Sequence, residues 1–119
     1  MKVSISLPSL FPDDLAATLK SIRETTHGIE YEALVVSPFE VAGPDVRWIR
    51  EDQPRGAAAA HNLAFRHATG DFVMAMTDDC VLRDGWAGFV MDHFQSREGG
   101  HRLFCLGLHR STQIGRAHV

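Results

Sequence analysis

No apolar stretch of this chain approaches the roughly 18 residues that a membrane-spanning helix needs. No CxxC pair occurs, since Cys80 and Cys105 lie far apart, so neither a zinc knuckle nor a dithiol redox motif is built from them. None of the seven histidines forms an HxH or HxxxH pair, which leaves a histidine-based metal site without support. Lys and Arg form no run, and the formal net charge of -3 argues against a nucleic-acid surface driven by bulk charge. The GxGxxG and GKS phosphate loops are absent as well. The opening "MKVSISLP" carries one Lys and then a strand-like run, too short for a secretory leader. The expectation is a reducing, cytoplasmic compartment with two thiols. At 119 residues, 45% hydrophobic and 23% charged, the chain has room for one small globular domain.

What is present alternates between strand and helix signals. Val3 to Leu7 is a β-branched and apolar run ended by Pro8. Pro12-Asp13-Asp14 opens a helix, Leu15, Leu19 and Ile22 fall on one face of it, and Gly28 closes it. Tyr31 to Val36 reads as a buried strand and Val46 to Ile49 as a short one, separated by a Pro- and Gly-containing loop. An alanine-rich helix is expected from Ala57 to Ala68. Phe72 to Met76 is an unbroken apolar run, which predicts a central strand. Trp86 to Gln95 reads as a helix and Leu103 to Leu108 as a last strand. This order predicts an α/β sandwich with a mainly parallel sheet, whose ligands bind beyond the carboxyl ends of the strands. Three loops are expected there: Pro8-Ser9-Leu10, Ser37-Pro38-Phe39 and Thr77-Asp78-Asp79.

Asp78 and Asp79 therefore sit where a buried strand emerges. Adjacent carboxylates are common in turns and helix caps. They also suit Mg²⁺ or Mn²⁺, which take one or two carboxylates and complete their shell with substrate phosphates. Arg55-Gly56 before the alanine-rich helix offers a guanidinium and a helix N-terminus to an anion, or is a plain loop. His61 in that helix reads as a satisfied or exposed side chain, Asn62 as a hydrogen-bonding residue, and Asp71 as a structural cap. Trp86 and Cys80 read as packing residues.

Three segments in order resemble the family 2 glycosyltransferases of the GT-A fold. "VSISLPSLFPDDLAATLKSI" is similar to their opening strand and helix, and "YEALVV" to their second strand. "RGAAAAHNLAFRHATGDFVMAMTDDCVLRDGW" is similar to their RGxAAARNxGxxxAxGDYxxxLDxDD segment and the turn after it. The resemblance covers most of Val3 to Trp86. It implies a three-layer GT-A sandwich with an incomplete C-terminal half, a nucleotide-diphosphate sugar donor and a hydroxyl acceptor. It further implies an inverting displacement and a divalent metal, Mg²⁺ or Mn²⁺. Aligned on "GDF", Asp79 falls on the last acid of the DxD motif and becomes the metal ligand, and Asp78 faces ribose or sugar. Pro8, Ser9, Ser37 and Arg55 then line the donor pocket with Asp78. Two departures stand out. Thr77 occupies the place of the first DxD acid, and Ser37-Pro38 occupies that of an acidic pair after the second strand, so Ser37 or backbone groups take over base recognition.

The family's general base lies after the fifth strand, and no acid follows Glu98 here, so the base is expected beyond this chain. Residues 1–113 are expected to be the N-terminal part of such a domain. "IGRAHV", Ile114 to Val119, attaches to no fold pattern and can be back-translated into a common sequencing adapter, so a non-native tail is expected there. No nucleic-acid partner and no transmembrane segment are expected, and peripheral membrane association of the intact protein is compatible with this. Two rivals are a nucleotidyltransferase and a non-catalytic nucleotide-binding module. The first usually carries Gly and a basic residue after its first strand, which "PSLFPDD" lacks.

Overall fold

The computed structural model describes residues 2–96, with side chains described as far as residue 92. The strand expected at Leu103 to Leu108 and the tail from Ile114 lie outside the described residues. The elements are β1 (Lys2–Pro8), α1 (Pro12–Thr25), β2 (Glu30–Ser37), β3 (Val46–Arg50), α2 (Ala57–His67), β4 (Phe72–Ala75) and α3 (Trp86–Ser96). The four strands form one all-parallel sheet in the order β3-β2-β1-β4.

Period-two alternation along β1 and β2 splits the sheet into two apolar faces. Val3, Ile5, Leu7, Ala33 and Val35 face α1 and α3 and meet Leu15, Leu19, Ile22, Trp86 and Val90. Leu34 and Val36 point the other way, against Ala60 and Ala64 of α2. Helices on both faces of a parallel sheet make a three-layer α/β sandwich, as expected.

Local chemistry sets the helix ends. Pro12 starts α1 with Asp13 and Asp14 in its first turn, where acids complement the helix dipole. The helix stops at Thr25, three residues before Gly28. Thr25 and Thr26 turn their hydroxyls back onto the carbonyls of Ser21 and Ile22, and Gly28 then takes the turn at φ 76°. Gly56 precedes α2 at φ 102°, a backbone region that favours glycine.

For the fourth strand, expected to be central, the described residues define the pairing on one side. Among the described residues β4 pairs only with β1, and Val73 is 44% exposed. Phe72 and Met74 pack on the α1 face, whereas α2 lies over β1 and β2.

At the opposite end of the sheet, Glu32 on β2 is buried and gathers three segments. Its Oε2 accepts from Ser4 Oγ at 2.6 Å, Thr69 N at 2.8 Å and Thr69 Oγ1 at 3.0 Å. Ser4 Oγ in turn accepts from Gly70 N at 2.8 Å. Arg47 and Lys2 approach the other oxygen at 3.3 and 3.7 Å. Burial alone would raise the Glu32 pKa, but the hydrogen bonds from Ser4, Thr69 and Arg47 outweigh it and hold the carboxyl at about 2. Asp71 Oδ2 accepts from Lys2 N at 3.0 Å, the structural role expected of it.

Gly70 is held against this cluster. A Cβ there would lie 2.7 Å from both Ser4 N and Ser4 Oγ and 2.9 Å from Lys2 O. Backbone atoms cannot swing away as a flexible side chain can, so Gly70→Ala is expected to cost about 2–3 kcal/mol. Urea unfolding checks this, and an unchanged midpoint would contradict the packing described.

Candidate functional site

Strand order reverses between β1 and β4, because β2 and β3 build to one side of β1 and β4 to the other. The carboxyl ends of parallel strands at such a point border a crevice. A cleft of about 240 Å³ opens there. Pro8, Ser9, Leu10 and Phe11 form its β1 side, Met76, Thr77 and Asp78 its β4 side, and Val36 its floor from β2. Gly56, Ala57, Ala60 and His61 close it from α2, and Glu51 and Pro54 from the segment before that helix.

The acidic loop is tied down on both flanks. Ser9 Oγ donates to Asp78 Oδ2 at 2.6 Å, joining the end of β1 to the loop after β4. Thr77 Oγ1 donates to Asp79 Oδ1 at 2.6 Å and lies 3.1 Å from Cys80 Sγ. From beneath, the buried Thr18 hydroxyl of α1 reaches the carbonyls of Asp78 and Cys80 at 2.7 and 2.8 Å. Ser21 Oγ accepts from Leu82 N at 3.1 Å. Trp86, 6% exposed, seats the start of α3 in the core, and its Nε1 donates to Thr26 Oγ1 at 3.2 Å. A loop with little secondary structure of its own thus takes its shape from α1.

The structure brings together Pro8, Ser9 and Asp78, with Asp79 next along the chain. It does not bring Ser37 to them. Ser37 is fully buried, donates to Phe39 O at 2.6 Å and accepts from Trp48 Nε1 at 3.0 Å. Its side chain lines neither cleft, because the indole of β3 has claimed the hydroxyl. Arg55 lines a second, more open cleft of about 550 Å³ together with Asn62 and Arg66. Glu51 borders both clefts.

One residue in the wall was read from sequence only as satisfied or exposed. His61 sits in the first cleft with Nδ1 2.6 Å from Ser6 Oγ, and its ring stacks on Phe65 with centroids 5.9 Å apart. Burial pushes its pKa below the ordinary value. The signal was present: Ala57, Ala60, His61 and Ala64 share one helical face, and only His61 among them carries polar atoms.

A cation can be tested against these groups. Among the described residues no cluster of three or more His, Cys, Asp or Glu side chains is placed to hold a metal ion. Asp78 and Asp79 present adjacent carboxylates, which accept hydroxyl hydrogen bonds from Ser9 and Thr77 respectively. That donor set fits Mg²⁺ or Mn²⁺ in the form that takes one or two carboxylates and draws its other oxygens from substrate and water.

Known proteins give the fold a context. The crystal structure of S. aureus TarS 1-349 is similar, with a TM-score of 0.68 and 16% identity over 81% of this chain and 33% of that one. Its complex with UDP-GlcNAc gives a TM-score of 0.67 at 16% identity, over 81% of this chain and 32% of that one. Its complex with UDP gives 0.63 at 18%, over 80% and 33%. The chain therefore spans about a third of the length of these structures. A search of curated proteins finds no match. Among the described residues no helix is long and apolar enough to cross a membrane. The sequence model for Glycosyl transferase family 2 matches residues 33–101, more than half of the chain, and the chain belongs to that family.

Proposed function

We propose that this chain is the donor-binding part of a glycosyltransferase that moves a sugar from a nucleotide-diphosphate sugar to an acceptor hydroxyl. The observation that carries the reading is the cleft at the β1–β4 switch point, where Ser9 and Asp78 are joined beside the N-terminus of α2. Membership of the family supports it. So does a shared fold with structures whose names record complexes with UDP-GlcNAc and UDP.

In this reading Pro8 and Ser9 form one wall of the donor site, and Asp78 accepts a hydroxyl of ribose or sugar. The first turn of α2 has no side-chain cap and no acidic residue, so its N–H groups are suited to phosphate oxygens. Arg55, at the rim of the neighbouring cleft, supplies positive charge from outside. Asp79 would hold Mg²⁺ or Mn²⁺, whose charge would ease departure of the diphosphate. Thr18 keeps the two carboxylates in place through the backbone of their loop. The acceptor hydroxyl attacks the anomeric carbon in one displacement with inversion, and the base that takes its proton belongs to chain beyond Glu98. The cytoplasmic location and a role in polysaccharide or cell-wall synthesis belong to the same reading.

Calorimetric titration of the protein with UDP, GDP and UDP-GlcNAc, with and without Mn²⁺, tests it. Metal-dependent binding is the expected result. A folded sample that binds none of them would overturn the reading in favour of an inert module.

A further inference from the structure

The first cleft has a charge imbalance that its own side chains do not resolve. Among the described residues, its ionisable wall groups are Glu51, Asp78 and His61. Two are acids, and a diphosphate adds more negative charge. Arg55 and Arg66 line the neighbouring cleft instead. His61 is thus the wall residue that can become a cation near neutral pH.

Its geometry suits that change. Nδ1 is turned to Ser6 Oγ on β1, 2.6 Å away, and Ser6 is fully buried. Phe65, one turn further along α2, stacks on the ring. Both contacts fix the imidazole, and with Nδ1 engaged, Nε2 is the ring nitrogen available to a ligand in the cleft that His61 lines. The groups that share this space are Glu51 from the segment after β3 and Asp78 from the loop after β4, while β2 contributes only Val36.

We propose that His61 takes up a proton when a diphosphate enters the cleft and, as the imidazolium, donates from Nε2 to a phosphate oxygen. The inference rests on the donor-binding reading above. Burial favours the neutral ring in the ligand-free protein, so there is a proton to gain at pH 7. A phosphate within contact distance acts in the opposite sense and favours the charged ring. Ser6 accommodates both forms: its hydroxyl donates to a bare Nδ1 and accepts from a protonated one. The proton comes from solvent buffer, and binding is therefore linked to pH through a side chain on α2.

The test is calorimetry of UDP and of inorganic pyrophosphate, each with Mn²⁺, in two buffers of contrasting ionisation enthalpy near pH 6.5. Wild-type protein should take up about half a proton more than His61→Gln for both ligands. His61→Gln should bind about 10-fold more weakly, the loss expected for one charge-assisted hydrogen bond. The His61 ring resonance, followed by NMR in the unaltered protein, should titrate about one unit higher with UDP than without. Equal proton counts for the two proteins, or an unmoved His61 titration, would overturn the proposal while leaving donor binding intact. Absence of any nucleotide or pyrophosphate binding would overturn the donor reading and this inference together.

Discussion

Glu32→Ala is expected to lower the unfolding free energy by about 3–5 kcal/mol, the usual cost of removing one partner from a buried charged network. The carboxylate is 6% exposed and serves as common acceptor for Ser4, Thr69 and the cations Arg47 and Lys2. Its loss leaves the Thr69 N–H and the Ser4 hydroxyl without their acceptor, and each orphaned donor costs about 1–3 kcal/mol. Domains of this size are stable by only about 5–15 kcal/mol, so thermal melting should fall by on the order of 10 °C or more. A drop below about 3 °C would contradict the network's importance.

The same carboxylate sets an acid limit. Its folded pKa is about 2 against an ordinary 4.5, so the ionised form is favoured by folding. The sign follows from linkage: stability from Glu32 is fully present above pH 4.5 and is lost as pH falls toward 2. Urea unfolding of the wild type and Glu32→Gln should therefore converge across that window.

Asp79→Ala is expected to remove the Mn²⁺-dependent part of nucleotide-diphosphate binding, a loss of about 100-fold or more, as suits a ligand that touches the cation. The fold should tolerate it, because Thr18 holds the loop through the backbone carbonyls of Asp78 and Cys80. Asp78→Ala should weaken binding with and without Mn²⁺, since that side chain lines the cleft and anchors Ser9. Retained Mn²⁺ dependence in Asp79→Ala would overturn the assignment. Its loss in Asp78→Ala instead would give the cation to the carboxylate in the wall.

The sequence by itself determined the order and type of the described elements, β1 to α3. Pro12, the 3.6-residue spacing of Leu15, Leu19 and Ile22, and the β-branched run in β1 are local signals, and secondary structure answers to local signals. It also placed an acidic pair after a strand in a parallel sheet, and so at the edge where ligands bind. Tertiary structure decided which polar side chains were left for that edge. Ser37 and Glu32 sit in one strand and both are buried, one consumed by Trp48 and the other made the hub of three other segments. His61, unremarkable in an alanine-rich helix, gained a cleft position and a partner on β1. These outcomes depend on hydrogen bonds between residues 11 to 69 positions apart, such as Trp48 with Ser37 and Ser9 with Asp78. A local pattern does not encode which distant donor reaches a hydroxyl first; packing of the sheet against its helices settles that.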